Sequence, residues 1–129
     1  SRNMKKILLL LLLSLPLVAM DHPIKLQLDK KKGDSYVMRV SVPKGYAIQK
    51  DAPNKIKLAS EDKIKINPTE LTFKGNTYLD KPEYFEKVED NTLTLSGKGK
   101  LQVSAKIFYC DLNKNVCYPA SIKQEETIQ

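Results

Sequence analysis

The chain has two cysteines, Cys110 and Cys117, in the run Ile107-Phe108-Tyr109-Cys110-Asp111-Leu112-Asn113-Lys114-Asn115-Val116-Cys117-Tyr118-Pro119. They bracket six residues centred on Asn113-Lys114-Asn115, a tripeptide that favours a turn. A strand entering at Cys110 and leaving at Cys117 sets the thiols face to face across a hairpin neck, where a disulfide can close. Two chemistries then compete. As a structural staple, a ring of about eight residues contributes only ~2.5 kcal/mol in the loop-entropy picture, at the weak end for disulfides. Lone cysteine pairs in exported proteins are nevertheless usually structural. As a redox pair, the same bridge needs an accessible sulfur, an attacking thiolate and a reduced form that the fold tolerates. A hairpin neck at a domain edge offers that access, and its bridge can open while the strands stay hydrogen-bonded. Lys106 and Lys114 favour thiolate and Asp111 opposes it. With no histidine nearby, the pair suits a passive carrier charged by an outside donor rather than a self-activating catalyst.

Other chemistries run short of residues. His22 is the only histidine, so a Ser–His–Asp triad or a histidine-rich metal site would have to be built around it. Its place beside the leader reads as a tail residue. Two cysteines and one distant histidine leave a tetrahedral zinc set incomplete. A copper-handling set of Cys110, Cys117 and Met38 would need a proximity that spacing does not supply. No cofactor is implied beyond the cysteine pair itself. The formal charge is +7, but Arg2, Lys5 and Lys6 account for three of it and leave 19 basic residues against 15 acidic. That surplus is ordinary for a soluble domain and gives no nucleic-acid footprint. Lys30-Lys31-Lys32 reads as a solvated turn.

The elements that must hold the cysteines are strands. Ile24, Leu26 and Leu28 alternate with polar residues, as do Tyr36, Met38, Val40 and Val42. Lys30 to Asp34 between them reads as a hairpin turn. Shorter alternations follow at Ile56 and Leu58, Ile64 and Ile66, Leu71 and Phe73, and Leu93 and Leu95, with a turn at Gly97-Lys98-Gly99. In the longest strand Leu101, Val103, Ala105, Ile107 and Tyr109 face one way, and a last strand is expected from Val116 to Lys123. The stretch from Gly75 to Asn91 is the least strand-like and reads as a long loop carrying Tyr78, Tyr84 and Phe85. Outside the amino-terminal region no apolar stripe has helical spacing. Seven to nine short strands in about 110 residues predict an all-β domain, an immunoglobulin-like antiparallel β-sandwich, with a small barrel as the competing closure. No tryptophan is present, so the Cys–Trp–Cys core of antibody domains is missing and aliphatics and tyrosines must fill the interior.

Ahead of this domain, Ser1-Arg2-Asn3 precede a native-looking start at Met4. Lys5-Lys6 and about a dozen apolar residues follow, reaching Ala19. A short basic region before a short apolar run is the pattern of a secretory signal peptide. The run is brief for a bilayer span of about 20 residues, although an uncleaved anchor is the competing reading. The expected organisation is a leader over residues 1–20 and a single exported domain over 21–129.

At the cysteines the chain resembles the N-terminal periplasmic domain of the DsbD family of thiol–disulfide interchange proteins. The resemblance rests on Phe108-Tyr109-Cys110-Asp111 and Val116-Cys117-Tyr118-Pro119, on Pro43-Lys44-Gly45-Tyr46 with Ala52-Pro53 beyond it, and on Glu83-Tyr84-Phe85-Glu86. These matches span Tyr36 to Lys123 in shared order. The resemblance implies an immunoglobulin-like fold and a redox-active Cys110–Cys117 pair in the periplasm. Cys117 would form mixed disulfides and Cys110 would resolve them. Tyr84 and Phe85 would belong to a cap shielding the sulfurs, and Tyr46, Tyr109, Tyr118 and Asp111 would line the site. The implied partners are thioredoxin-fold proteins as electron donor and acceptor, with a membrane-embedded donor upstream. Two differences from the family stand out. The loop between the cysteines is one residue longer than in its best-known members, and Ala47 and Ile48 replace aromatics common after the Gly-Tyr step.

Overall fold

A computed structural model describes residues 22–129, so the expected leader and Asp21 lie outside the described residues. Every alternation read in the sequence contributes to a strand, though not always over its full length. The strands are β1 (Lys25–Lys30), β2 (Ser35–Ser41), β3 (Tyr46–Ile48), β4 (Lys55–Ala59), β5 (Ile64–Asn67), β6 (Glu70–Leu71), β7 (Asn91–Gly97), β8 (Gly99–Asp111) and β9 (Val116–Ile128). All pairings are antiparallel. One sheet runs β1-β2-β7-β5. The other is built around β8, with β9 along one side and β3 and β4 end to end along the other. β6 closes that sheet beyond β4. The result is the two-sheet, immunoglobulin-like sandwich, with no helix among the described residues. No helix there is long and apolar enough to cross a membrane.

The core is aliphatic, as the missing tryptophan requires. Met38, Leu93 and Leu95 from the first sheet meet Ile56, Leu101, Val103 and Ile107 from the second, all buried. Burying side chains of this size contributes about 1.5–3 kcal/mol each, and the period of two forces the intervening residues outward. The Lys30–Asp34 segment turns as expected, with Ser35 N–H on the Lys32 carbonyl at 3.0 Å. Gly97-Lys98-Gly99 also turns, but it carries the chain from one sheet to the other instead of closing a hairpin.

Three boundaries differ from the periodicity reading. β9 continues past Lys123 to Ile128, because β8 offers an unbroken ladder to residues with no apolar alternation of their own. Phe73 lies outside the two-residue β6. β3 is three residues long, too short to show a period, and exists by pairing with Tyr109–Asp111.

The buried face of β8 should dominate stability. Ile107→Ala, at a site with 0% exposure, is expected to cost about 2–5 kcal/mol in urea unfolding. Lys65→Ala on the exposed face of β5 should stay within about 0.5 kcal/mol.

Candidate redox site at the neck of the long hairpin

The turn between the cysteines is organised by Asp111. Its Oδ1 accepts the backbone N–H of Asn113 at 2.9 Å and of Lys114 at 3.0 Å. Its carbonyl accepts the N–H of Asn115 at 2.8 Å. Asn115 sits at φ 57°, a left-handed conformation that asparagine tolerates better than most residues. The six residues are therefore the pair Asp111 and Val116 plus a tight four-residue tip. Asp111 thus acts as a template for the turn.

A second loop braces the tip. Leu112 N–H bonds the Gly45 carbonyl at 2.9 Å, and Tyr46 N–H bonds the Pro43 carbonyl at 3.2 Å. Gly45 has φ 91°, and a Cβ there would come within 3.3 Å of Asn113 Nδ2. Glycine before Tyr46 is therefore favoured by its left-handed backbone angle, and a Cβ there would also need the Asn113 side chain to give way slightly.

Cys110 and Cys117 are direct cross-strand partners and are bonded, with Sγ–Sγ 2.03 Å and Cα–Cα 3.9 Å. Their exposures differ sharply: Cys110 is 1% exposed, whereas Cys117 lies in the exposed run Asn113–Pro119. Cross-strand partners share a face, so the row Cys117–Cys110–Ala47 points to one side of the sheet. That side is opposite the core-facing row Tyr118–Tyr109–Ile48. The next row on the disulfide's side is Pro119–Phe108, continued by Gln49 and Tyr84. Ala47, beside Cys110, is also 1% exposed.

The predicted lining tyrosines do come together, but behind the sulfurs. Tyr46 and Tyr109 meet edge to face at 6.0 Å between centroids, and Tyr109 and Tyr118 meet at 5.6 Å. By register all three belong to the core-facing side at the end of the sandwich, where Tyr109 is buried, Tyr46 half-buried and Tyr118 exposed. The Tyr109 hydroxyl is pushed above its ordinary value of 10.0, first by burial, then by Tyr118, Tyr46 and Asp111.

The stretch from Gly75 to Asn91 is an irregular hairpin. Glu89 N–H bonds the Lys74 carbonyl, Glu86 N–H bonds that of Asn76, and Tyr78 N–H bonds that of Tyr84. It docks on β3 and the residues after it through Phe85 N–H to the Ile48 carbonyl at 3.0 Å and Lys50 N–H to the Glu83 carbonyl at 2.9 Å. Tyr84 pairs with Gln49 and so shares the disulfide's side, one row away. Phe85 is buried in the hydrophobic core and anchors the loop. At its tip Leu79 is fully exposed.

Two residues outside the expected site set complete it. Ala47 is the lateral neighbour of Cys110, where its small side chain fits a covered position. Asn54, a buried polar side chain, donates Nδ2 to the Gln49 carbonyl at 2.7 Å and accepts the Phe108 N–H at 2.8 Å through Oδ1. It thereby locks the β3–β4 connection onto β8. In the sequence Ala52-Pro53 enters only through the family resemblance, and Asn54 carries no signal of its own.

Met38 is buried in the first sheet between Leu28 and Asn91, among core residues, and does not join the cysteines. Among the described residues no cluster of three or more His, Cys, Asp or Glu side chains is placed to hold a metal ion. Comparison with protein-family models, curated proteins and solved structures finds no match to the chain.

Two outcomes follow from this geometry. Asp111→Ala removes two charge-assisted hydrogen bonds and should lower stability by about 1–3 kcal/mol, read from chemical unfolding of the oxidised protein. Asp111→Asn should recover part of the loss. For Tyr109, the folded state holds the proton more tightly than the unfolded chain. Its contribution is full below pH 10 and declines as pH rises through the raised value. Melting temperature should therefore fall on the alkaline side, and Tyr109→Phe should flatten that fall.

Proposed function

We propose that this is an exported thiol–disulfide exchange domain, passing reducing equivalents between thioredoxin-fold partners through Cys110 and Cys117. The observation that carries the reading is the asymmetry of the bridge. One bonded cysteine is exposed at a hairpin neck and the other is buried beside Ala47. An incoming thiolate has one open target, Cys117. A fold-closing staple would join distant strands; this one joins residues already paired in a ladder from Gly99↔Ile128 to Asp111↔Val116.

The steps balance without a cofactor. A partner thiolate attacks Cys117 Sγ, and the S–S electron pair leaves on Cys110 Sγ, which takes up a proton. The partner's second thiolate then attacks its own sulfur in the mixed disulfide and releases Cys117 as thiolate. In the outgoing direction the Cys117 thiolate attacks an oxidised partner, and Cys110 resolves the mixed disulfide and restores the bridge. Asp111 and Gly45 hold the turn through both states, because their bonds are to backbone and not to sulfur. Tyr84, on the same side as the bridge, supplies the cap, while Phe85 holds its loop in place. The expected leader and the disulfide both support work in the periplasm, where a membrane-embedded donor would supply the electrons.

The competing reading is a binding module whose bridge is a staple. With a thioredoxin-fold protein in its oxidised form, whose disulfide the Cys117 thiolate can attack, Cys110→Ser should accumulate a mixed disulfide through Cys117, and Cys117→Ser should accumulate none. Reduction of the wild type should leave the β-sheet circular dichroism intact. A bridge that resists reduction by such a partner, or whose opening collapses the fold, would assign the staple instead.

A further inference from the structure

The side of the second sheet that carries the disulfide continues as a lysine-lined groove. Beyond Pro119–Phe108 comes the row Ser121–Lys106–Lys55, and beyond that Lys123–Ser104–Lys57. These residues, with Phe108 and Pro53, line an open depression of about 480 Å³. Lys55 and Lys106 face each other directly across β4 and β8, a like-charge pairing that costs stability in a sheet. Lys55 is relieved by Glu70, its Nζ 3.6 Å from Oε2. Among the described residues Lys57, Lys106 and Lys123 make no ion pair. The Lys106 ammonium instead lies 5.9 Å from the centre of the Phe108 ring. Four lysines that share a single ion pair, the one from Lys55 to Glu70, with an apolar end abutting a disulfide, have the makings of a recognition surface.

We infer that this groove seats the redox partner, and that the partner presents a carboxylate-rich ridge next to its own reactive cysteine. The inference rests on the exchange role proposed above and adds the chemistry of what the site accepts. Phe108 and Pro119 form the apolar step between the sulfurs and the lysines. A partner whose cysteine reaches Cys117 therefore lays its adjoining surface over Lys106, Lys55, Lys57 and Lys123. An anionic membrane is the poorer fit. The cations sit in a depression and not on a plane, and two carboxylates flank them on the same side, Glu70 opposite Lys57 and Glu125 one row beyond Lys123, where they repel a uniformly negative surface.

The test measures the second-order rate of disulfide reduction by one thioredoxin-fold dithiol in two forms. One form carries acidic residues ringing its cysteines; in the other those residues are replaced by their amides. Each rate is divided by the rate with dithiothreitol, which reports the bridge's own reactivity. For the wild type, the ratio with the acidic form should drop at least about tenfold between low and high salt, while the amide form stays flat. The triple variant Lys57→Glu, Lys106→Glu, Lys123→Glu should lower the acidic form's ratio at low salt by at least about tenfold. Reversing Lys25 and Lys31, on the other sheet and its turn, should leave it unchanged. Circular dichroism confirms that each variant is folded, and the salt series needs no variant at all. Exchange that proceeds with no dependence on salt or on partner charge overturns the groove while leaving the exchange role standing. Absence of exchange with either dithiol overturns the role itself. Wild-type binding to phosphatidylglycerol vesicles that the triple variant loses, with exchange rates unmoved, would assign the face to a membrane and also overturn the inference.

Discussion

The pairing of β8 with β9 is the constraint on which the rest depends. Its register puts Cys110 opposite Cys117, separates the disulfide's side from the core side, and decides which aromatic stands on which. A slip of one residue would exchange those sides: Cys110 would turn to the interior and Tyr109 to solvent. The register is held from both ends. Apolar alternation from Leu101 to Tyr109 fixes the inner face, and the Asp111 turn fixes the number of residues at the tip.

This arrangement separates the disulfide from the packed interior. Tyr46, Tyr109 and Tyr118 lie on the core-facing side at its end, and the sulfurs stand on the far side of the same strands. Cys110, though 1% exposed, stands outside the clustered apolar core. Loop-closure entropy adds little for so short a ring. The site is placed by hydrogen bonds to backbone groups from the Gly45 carbonyl and the Asp111 and Asn54 side chains, and by Phe85 anchoring the neighbouring loop, none of which involves a thiol.

Much of this was legible in the residues. Alternation from Ile24 to Val42 and from Leu101 to Tyr109 reflects burial on one face only, which is the physical event that makes a strand visible in sequence. The cysteine hairpin was visible for the same reason, framed by strand and centred on a turn-forming tripeptide. What stayed hidden has no period. β3 exists only because β8 has an open edge there, and Gln124 to Ile128 are strand because the ladder continues under them. The split of the neighbouring residues Tyr84 and Phe85 between two sides needs a register against Gln49 that no local pattern encodes. The lysine groove was invisible because Lys55, Lys57, Lys106 and Lys123 come from three strands and converge only in the folded sheet.

The most direct measurement is the equilibrium reduction potential of Cys110–Cys117, by titration against a glutathione couple with thiol-specific mass labelling. A carrier that takes electrons from one thioredoxin-fold protein and hands them to another must lie within their range, roughly −270 to −120 mV. A value in that window is the result expected here. A potential below about −300 mV, where structural disulfides of secreted proteins lie, would contradict the account.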